Sequence, residues 1–282
     1  MITLAKRNIL IFLRDRAGIF WSFLSVILVF GLYILFLGNL MGSGEDENFQ
    51  FLADSWIMAG MVSIASITTT MGAFVNMVVD KSDKIIKDFS ASPITRRSLV
   101  GGYVLGAYTI GIIMTIFTFI FTQGYIVING GRLLPLLDSI EAIGIMFISV
   151  LASSAMVFYL TTFLNTENSF SGASAVLGVL VGFITGTYIP IGTFPEAIQT
   201  VIKVFPISHS ASLLRQIMTR TPIELVFSNA PGYVITEFNK EMGIVFYFGD
   251  TAVSPITSIL VLAATTILFY GLATINVSRK NV

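Results

Sequence analysis

Long uncharged stretches dominate the sequence and alternate with short charged segments. Six of them are at least 25 residues long: 17–44, 55–79, 98–131, 142–166, 168–195 and 251–278. Because about 20 residues of apolar helix cross the hydrocarbon core of a bilayer, each stretch can hold one membrane-spanning helix. The pattern therefore predicts six spans joined by loops.

The first of these stretches has a competing interpretation as a secretory signal peptide. The apolar core of a signal peptide has about 7–15 residues and ends at a cleavage site of small residues. Here the apolar run is longer, and Arg14, Asp15 and Arg16 stand directly before it. We therefore expect a retained helix.

Composition supports a membrane protein and narrows its chemistry. Hydrophobic residues make up 55% of the chain and charged residues 11%, against about 25% charged in soluble domains, and the mean hydropathy is +0.86. With no Cys and one His, disulfides, thiolate zinc sites, iron–sulfur clusters and multi-histidine metal sites are excluded within the chain. The net charge of zero gives no case for nucleic acid as a partner. The expected fold class is an all-α integral membrane protein.

The basic residues predict the orientation. Six spans place both termini on one side, and that side holds eleven Lys and Arg: Lys6, Arg7, Arg14, Arg16, Lys81, Lys84, Lys87, Arg96, Arg97, Arg279 and Lys280. The other side holds five: Arg132, Lys203, Arg215, Arg220 and Lys240. Because cytoplasmic loops carry the excess of Lys and Arg, both termini are predicted to be cytoplasmic in a multi-pass protein of the cell membrane. The acidic residues Glu45, Asp46, Glu47 and Asp54 then fall in the first outer loop.

Residues 1–16 are too charged to span a membrane but show helical periodicity. One face carries apolar residues and another carries Arg7 and Arg14; the apolar face consists of Ile2, Ala5, Ile9, Phe12 and Leu13. This pattern favours a helix that lies in the cytoplasmic interface with its apolar side in lipid. The alternative is a cytosolic extension of the first span.

Residues 80–97 form the loop between spans two and three. Ile85, Ile86 and Phe89 give one short apolar face among charged residues, and the run ends at Ser92-Pro93 because residues before proline avoid the helical region. The pattern predicts a short amphipathic helix parallel to the membrane. It is either an ordinary solvated loop or a docking element for a cytoplasmic partner.

Residues 188–220 contain two apolar pieces that are too short to cross a bilayer, 195–205 and 208–218. Pro195 suits a first helical turn and Pro206 separates the pieces, so an outer hairpin of two re-entrant or interfacial helices is predicted. Residues 221–250 follow as a polar outer loop with a small helix around 235–242. His209 is expected to be a capping or interfacial residue of the second short helix.

Acidic and catalytic chemistry is sparse. Asp138 followed by Glu141 resembles a helix N-cap with an acidic residue in the first turn, although a paired acid–base site stays open as an alternative. No predicted span has Asp, Glu, Lys or Arg in its interior, which argues against an ion-coupled carrier. The motifs HExxH and GxSxG are absent, so no catalytic residue and no metal site are predicted.

Two sets of small or weakly polar residues recur at helical spacing. Close helix contact is indicated on span five by Ser174, Gly178, Gly182 and Gly186. This face is the candidate dimer interface, and packing within one subunit is the alternative. A candidate lining of a substrate path is formed on span two by Ser63, Ser66 and Thr70. The alternative is that these hydroxyls hydrogen-bond to carbonyls of their own helix.

These parts together resemble the permease subunits of ABC type-2 exporters, in the drug and natural-product branch. The resemblance covers nearly the whole chain: an interfacial N-terminal helix, six spans, a cytoplasmic loop ending in SPITRR, and an outer hairpin reading GTFPEAIQTVIKVFPISHSASLLRQIM. The hairpin, with Pro195, Pro206 and Arg215 in that order, is its most specific element.

The resemblance implies two permeases, identical or paralogous, bound to two copies of a separate ATP-binding cassette subunit. It assigns ATPase coupling to residues of the cytoplasmic helix: Asp83, Lys84, Ile85, Lys87, Phe89 and Arg96. It also implies a substrate path between the permeases near spans one, two and five, and it places ATP and magnesium on the partner. The chain itself has no GxxxxGK[ST] phosphate loop and is not predicted to be an enzyme.

The cargo implied by this branch is a hydrophobic or amphipathic compound moved out of the cell. The alternative within the family is export of a lipid or lipid-linked glycan. Alternatives of other classes are a secondary transporter or channel without an ATPase, and a membrane sensor or scaffold.

Overall fold

The computed structural model describes residues 1–37, 47–85 and 94–279, and these residues are almost entirely helical. The helices are α1 (Ile2–Arg14), α2 (Arg16–Ser22), α3 (Leu24–Leu32), α4 (Glu47–Ser82), α5 (Arg96–Ile128), α6 (Leu136–Thr161), α7 (Glu167–Ile184), α8 (Glu196–Val204), α9 (Pro206–Met218), α10 (Arg220–Val226), α11 (Gly232–Glu241) and α12 (Pro255–Arg279). A π-helical turn continues α3 over Tyr33–Leu37, a 3₁₀ turn covers Ile191–Thr193, and strands β1 (Tyr247–Phe248) and β2 (Thr251–Ala252) pair antiparallel.

Five described helices are long and apolar enough to cross a membrane: α4, Arg97–Ile128, α6, α7 and Pro255–Val277. A sixth span is formed if Arg16–Ser22 and Val26–Leu35 count as one helix, bent by 51°. The first span was expected to be one continuous helix, and the structure instead bends it near Phe23. At this point the Ser22 hydroxyl donates to the Ile19 carbonyl at 2.7 Å, a local bond that competes with the helical ladder.

Helix α4 is the centre of the bundle. It packs against α5, α6, α7 and α9, and its side chains are buried almost continuously from Phe51 to Ile67. A helix that is apolar on all sides belongs in an interior, and here the neighbouring helices supply that interior. At about 1.5 Å per residue, its 36 residues exceed one hydrocarbon thickness.

The length of α4 corrects the assignment of Asp54 to an outer loop. The helix begins at Glu47, so Asp54 lies two turns inside it, 1% exposed. Its carboxylate accepts hydrogen bonds from the Tyr33 hydroxyl, from Gln50 Nε2 at 3.1 Å and from Asn129 Nδ2 at 3.3 Å. These bonds join the first three spans at one end of the bundle.

Helix α1 is separate from the first span, because Asp15 ends it and caps α2 by accepting from the Gly18 N–H at 2.9 Å. Its buried face was predicted only in part. Leu4, Ala5, Asn8 and Phe12 pack against α5, whereas Ile2 and Leu13 are exposed. The close approach needs glycine, since a Cβ at Gly102 of α5 would stand 2.7 Å from Leu4 Cβ. Ala5 and Phe12 therefore contact protein and not lipid.

The predicted hairpin consists of α8 and α9, joined at Phe205. Its two arms have different environments: α8 is mostly exposed, while α9 is buried and packs against α4, α6 and α12. Pro206 occupies the first turn of α9, where its missing N–H costs nothing. The loop predicted over 221–250 holds most of α10, all of α11 and strand β1, which pairs with β2 just after it.

The N-cap predicted at Asp138 is wrong by three residues. Pro135 is the N-cap of α6, and Asp138 lies in the first turn. Its carboxylate pairs with Arg220 of α10, which also donates to Glu141 Oε2 at 3.1 Å. One guanidinium thus holds both carboxylates, which favours an anchor between α6 and α10 over an acid–base pair.

Candidate functional site

A cavity of about 590 Å³ lies between α2–α3, α4 and α7, and we call it the lateral cavity. Most of its wall is apolar, with Trp21, Leu28, Met71, Val75, Leu177 and Val181 among the lining side chains. Its volume falls within the range of about 300–1,000 Å³ that is typical of small-molecule sites. The cavity is therefore large enough for an organic solute.

Small residues and the bend in the first span make this space. A Cβ at Gly72 of α4 would stand 2.6 Å from Ser22 Cβ, so α2 and α4 touch closely there. Beyond Phe23 the chain turns by 51° and α3 takes a new direction. Gly178 of α7 presents no side chain to the gap that remains. The close contact between α2 and α4 at Gly72 therefore lies beside the open space between α3, α4 and α7.

The polar groups of the lateral cavity are few and mostly uncharged. Thr68 donates to the Ile64 carbonyl at 3.1 Å, while the buried Ser174 hydroxyl has no partner among the described residues. Among the described lining residues only Asp15 is charged, and its carboxylate already accepts from the Gly18 N–H. An apolar wall with a free hydroxyl suits a neutral, amphipathic molecule.

The small-residue face of span five divides into two parts. Ser174 and Gly178 line the lateral cavity. Gly182 instead lies beneath the ring of Tyr188, and Gly186 follows the end of α7 in the left-handed region at φ +62°. Packing within the subunit therefore accounts for Gly182 and Gly186, which corrects the expectation of one continuous interface. Because α7 is only 17% buried over its apolar window, its outward side remains open to lipid or to another chain.

The polar stripe of span two lies in the interior of the bundle. Ser63 donates to the Ile207 carbonyl at 3.2 Å, and Thr70 donates to the Ser66 carbonyl at 2.6 Å. Ser66 belongs to a cluster of hydroxyl groups that links α4, α6 and α9. Ser149 donates to Ser66 at 2.8 Å, and Ser66 lies 3.3 Å from the Ser153 hydroxyl. Ser210 of α9 donates to Ser149 at 2.7 Å. These bonds fit hydrogen bonding within and between helices, the alternative for this stripe, and the path lining stays a prediction.

Another face of α4 lines the lateral cavity. It carries Ile67, Thr68, Met71, Gly72 and Val75. The sequence could not single out this face, because hydroxyl residues occur on both sides of the helix. Only the positions of the neighbouring helices separate a packed side from an open one.

An ion pair joins α1 to the last full turn of α4. The Arg7 guanidinium donates to both carboxylate oxygens of Asp80, at 2.6 and 3.0 Å, and the Tyr103 hydroxyl of α5 donates to the same carboxylate at 2.5 Å. The Asp80 side chain is 5% exposed, and its hydrogen bond and charge raise the pKa of Arg7 above its usual value. The Arg7–Asp80 pair thus fixes α1 to α4 and α5 at the start of the segment that the sequence predicts as the loop 80–97. Sequence analysis placed Asp80 in that loop and missed the pair.

The coupling residues predicted for that loop are described only in part. Asp83 and Lys84 are exposed, and Lys84 adopts a positive φ of 64° directly after α4. Lys87 and Phe89 lie outside the described residues, as does the side chain of Arg96, whose backbone opens α5. Thr95 caps that helix by accepting from the Ser98 N–H at 3.3 Å. The ends of α4 and α5 therefore frame the predicted docking helix.

Arg215 of α9 is fully enclosed, 1% exposed, and no carboxylate pairs with it among the described residues. Its guanidinium donates to the carbonyls of Thr185 at 3.2 Å, Gly186 at 2.8 Å and Gly243 at 3.4 Å, and it stacks 4.5 Å from the Trp56 ring centroid. The carbonyls follow the ends of α7 and α11, where helix dipoles are negative. We call this arrangement the Arg215 cage.

Pro195, Pro206 and Arg215 were predicted as the specific residues of the outer hairpin. The two prolines flank α8, and Pro206 begins α9, the helix that carries Arg215. The prolines therefore help to position Arg215 at the end of α7.

His209 is not a cap, since α9 begins at Pro206. Its Nδ1 lies 3.0 Å from Ser258 Oγ of α12, its ring meets Phe246 edge-on, and burial lowers its pKa. His209 is a packing residue between α9 and α12.

A helical bundle of five or six spans with a solute-sized cavity among three of them is a multi-pass membrane domain. A search of the curated proteins finds no match to the chain. The sequence model described as ABC-2 family transporter protein matches residues 44–275, which is most of the chain. The protein therefore belongs to the ABC-2 family and is a multi-pass permease subunit of an ABC transporter, a class that acts with an ATPase partner.

The Arg7–Asp80 pair allows a charge-swap test. We expect Arg7→Asp and Asp80→Arg each to lower the free energy of unfolding by about 2 kcal/mol, because each leaves like charges facing each other beside α5. The double variant should recover most of that loss in thermal unfolding of the purified chain. Lys6→Asp, an exposed change on the same helix, is the control and should be nearly neutral. Equal loss in the double variant and the single variants would show that the pair does not carry the contact.

Proposed function

We propose that the protein is the permease subunit of an ATP-driven exporter that moves a hydrophobic or amphipathic compound, such as a drug or lipopeptide, out of the cell. The lateral cavity carries this proposal, because it combines a solute-sized volume, apolar walls and a free hydroxyl within an ABC-2 membrane domain. It also lies among spans one, two and five, the spans that the resemblance associates with the substrate path.

Energy for export comes, in this proposal, from two copies of an ATP-binding cassette subunit that hold ATP and magnesium. They dock on the loop 80–97 through Asp83, Lys84, Ile85, Lys87, Phe89 and Arg96. Both termini and this loop are cytoplasmic, as the excess of Lys and Arg on that side favours. A second permease, identical or paralogous, faces the exposed side of α7 and closes the path.

Closure of the ATPase pair would bias the permeases between inward-facing and outward-facing states. The ends of α4 and α5 frame the docking loop, and α4 also forms one wall of the lateral cavity. A displacement of α4 therefore acts on both places at once. In this proposal, α4 is the physical link between ATP hydrolysis at the docking loop and movement of cargo through the lateral cavity.

Export of a lipid or lipid-linked glycan is the second candidate. The exposed apolar side of α7 and the apolar lining of the lateral cavity favour it, since one acyl chain could enter from the bilayer. Competition between neutral drugs and long-chain lipids for stimulation of the ATPase would decide between them.

Co-purification of the permease with an ATPase, followed by reconstitution in vesicles, tests the proposal. We expect ATP hydrolysis that rises with an amphipathic cargo and cargo movement that stops when ATP is withheld. Movement driven by an ion gradient without the ATPase would instead indicate a secondary transporter or channel. Partner binding without any movement of solute would indicate a sensor or scaffold.

Filling the lateral cavity should block transport. We expect Ser174→Phe to lower the rate of cargo movement about tenfold, because the ring occupies volume that the solute needs. ATPase binding should stay unchanged, since the residue lies in the span. The rate is measured in reconstituted vesicles.

Ile267→Phe is the matched control for this variant. Ile267 is 75% exposed on α12, does not line the lateral cavity and is not on the helix proposed to face the second permease. Its replacement should leave transport close to that of the unmodified protein. Equal rates for the two variants, both near the unmodified rate, would remove the cavity from the substrate path.

A further inference from the structure

A second, smaller cavity lies at the end of α4 opposite the Arg7–Asp80 pair, and we call it the distal cavity. Its volume is about 210 Å³, and it is enclosed by α4, α5, the turn before α6, and α10. This is below the range of about 300–1,000 Å³ for drug-sized ligands but equals the volume of about seven waters at roughly 30 Å³ each. The distal cavity fits a small polar group and not a whole cargo molecule.

The wall of the distal cavity is built by a tight turn. Gly130, at φ +88°, and Gly131 end α5 in a Schellman motif, with Gly131 N–H donating to the Ile126 carbonyl at 2.9 Å. A Cβ at Gly131 would stand 2.7 Å from the Phe51 ring, so the turn lies directly on α4. Leu134 N–H then donates to Gln123 Oε1 at 3.0 Å. The wall is held by these bonds before any ligand is present.

Two enclosed side chains of the distal cavity have unused hydrogen-bonding capacity. Ser55 is 1% exposed, and its hydroxyl has no partner in the described part of the chain. Gln123 is 8% exposed; Leu134 occupies its carbonyl oxygen, while no bond is made by its Nε2 to another described residue. A buried hydroxyl without a partner is unfavourable, so Ser55 points to a missing ligand, and Gln123 Nε2 is a second donor available in the same cavity.

The charge of the distal cavity defines that ligand. Arg132 is exposed at the cavity and forms no ion pair within the described residues, whereas no lining residue is acidic. The nearby carboxylates are already engaged, Asp54 by neutral donors and Asp138 and Glu141 by Arg220. A site with amide and guanidinium donors and no carboxylate selects anionic oxygens, as a phosphate or phosphodiester provides.

The surroundings indicate that the anion arrives on a lipid. Aliphatic side chains beside Arg132 are strongly exposed: Ile128 at 83%, Leu133 at 66%, Leu136 at 78% and Leu137 at 75%. They lie where α5 ends and α6 begins, both apolar spans. A cluster of exposed aliphatic side chains at the ends of two spans favours contact with hydrocarbon, and a basic residue at the end of a span reaches the headgroup level.

We propose that the distal cavity binds the phosphodiester headgroup of an anionic phospholipid from the leaflet on that side of the membrane. Arg132 pairs with the phosphate, while the Ser55 hydroxyl and Gln123 Nε2 hydrogen-bond to its oxygen atoms. The acyl chains lie along the exposed leucines of α6. The lipid thereby joins the ends of α4, α5 and α6, next to the anchor formed by Arg220.

Thermal unfolding of the purified full-length chain in detergent, with added phosphatidylglycerol, tests this site. The lipid should raise the Tm of the unmodified protein, because a ligand that binds only the folded state stabilises it. Arg132→Gln and Ser55→Ala should each weaken binding about tenfold, the loss expected for one charge-assisted hydrogen bond. Lys240→Gln, an exposed cation outside the site, is the control and should keep the full Tm shift.

Ser55→Ala separates binding from folding. It removes a hydroxyl that has no partner, so the Tm without lipid should stay the same or rise, while the shift with phosphatidylglycerol falls. A full shift in both Ser55→Ala and Arg132→Gln would overturn the site. An equal shift with free glycerol phosphate would identify a soluble anion, and an equal shift with phosphatidylcholine would overturn selection for an anionic headgroup. The measurement requires no ATPase, so its outcome does not depend on the proposed export function.

Discussion

Replacing Arg215 with alanine should lower the free energy of unfolding by about 3–5 kcal/mol, because several buried acceptors lose their donor at once. The change leaves the carbonyls of Thr185, Gly186 and Gly243 without their donor in an enclosed space, and each such loss costs about 1–3 kcal/mol. It also removes the cation stacked on Trp56. At roughly 2–4 °C per kcal/mol, a Tm lower by about 10 °C is expected in a thermal unfolding experiment.

Two further variants make the Arg215 test specific. Arg215→Lys keeps the charge but loses the planar fork of donors, so its Tm should lie between those of the unmodified protein and the alanine variant. Lys240→Ala removes an exposed cation and should leave the Tm within about 1 °C. An alanine variant as stable as the unmodified protein would show that the Arg215 cage does not hold α7, α9 and α11 together.

Replacing Phe89 with aspartate should abolish stable association with the ATPase. In the proposed docking helix, Phe89 is the aromatic residue of the apolar face, and buried aromatic residues at interfaces are worth about 2 kcal/mol or more. A loss of that size weakens binding about 30-fold, and the new carboxylate adds a desolvation cost. Co-purification of the two subunits, followed by a binding titration, measures the effect.

The control for Phe89→Asp is Ile94→Asp. Ile94 is 38% exposed near the other end of the same loop and is not among the proposed coupling residues. Both variants should unfold at the temperature of the unmodified chain, because the sequence places both residues in the charged loop between spans two and three. Unchanged ATPase binding by Phe89→Asp would remove the docking assignment while leaving family membership intact.

The Arg7–Asp80 pair and the Arg215 cage occupy opposite parts of the bundle and use different chemistry. The pair joins α1 to α4 and α5 beside the predicted docking loop, whereas the cage joins the ends of α7 and α11 to α9. Between them lies α4, which contacts both through Asp80 and Trp56. This helix is therefore the element through which a change at one end can reach the other.

The sequence by itself determined the approximate positions of the spans, the short helices around Pro195 and Pro206, and the permease family. These follow from local properties: an uncharged run of about 20 residues needs a bilayer or an interior wherever it occurs, and proline interrupts a helix regardless of its neighbours. The prediction of a helix over residues 2–14 also depended only on local sequence, since its polar and apolar residues repeat with helical spacing.

Only the tertiary structure decided which side of each helix is packed and which is open. Ser63, Ser66 and Thr70 proved to be internal hydrogen-bonding residues, while Thr68 and Ser174 lie at the lateral cavity. Asp80 forms an ion pair with Arg7, 73 positions away in the sequence. Arg215 donates to the carbonyl of Gly186, 29 positions away. A hydroxyl, a charged group or a glycine can either pack inside the bundle or take part in a functional site. Its role therefore depends on which residues distant in the sequence become its neighbours in the fold.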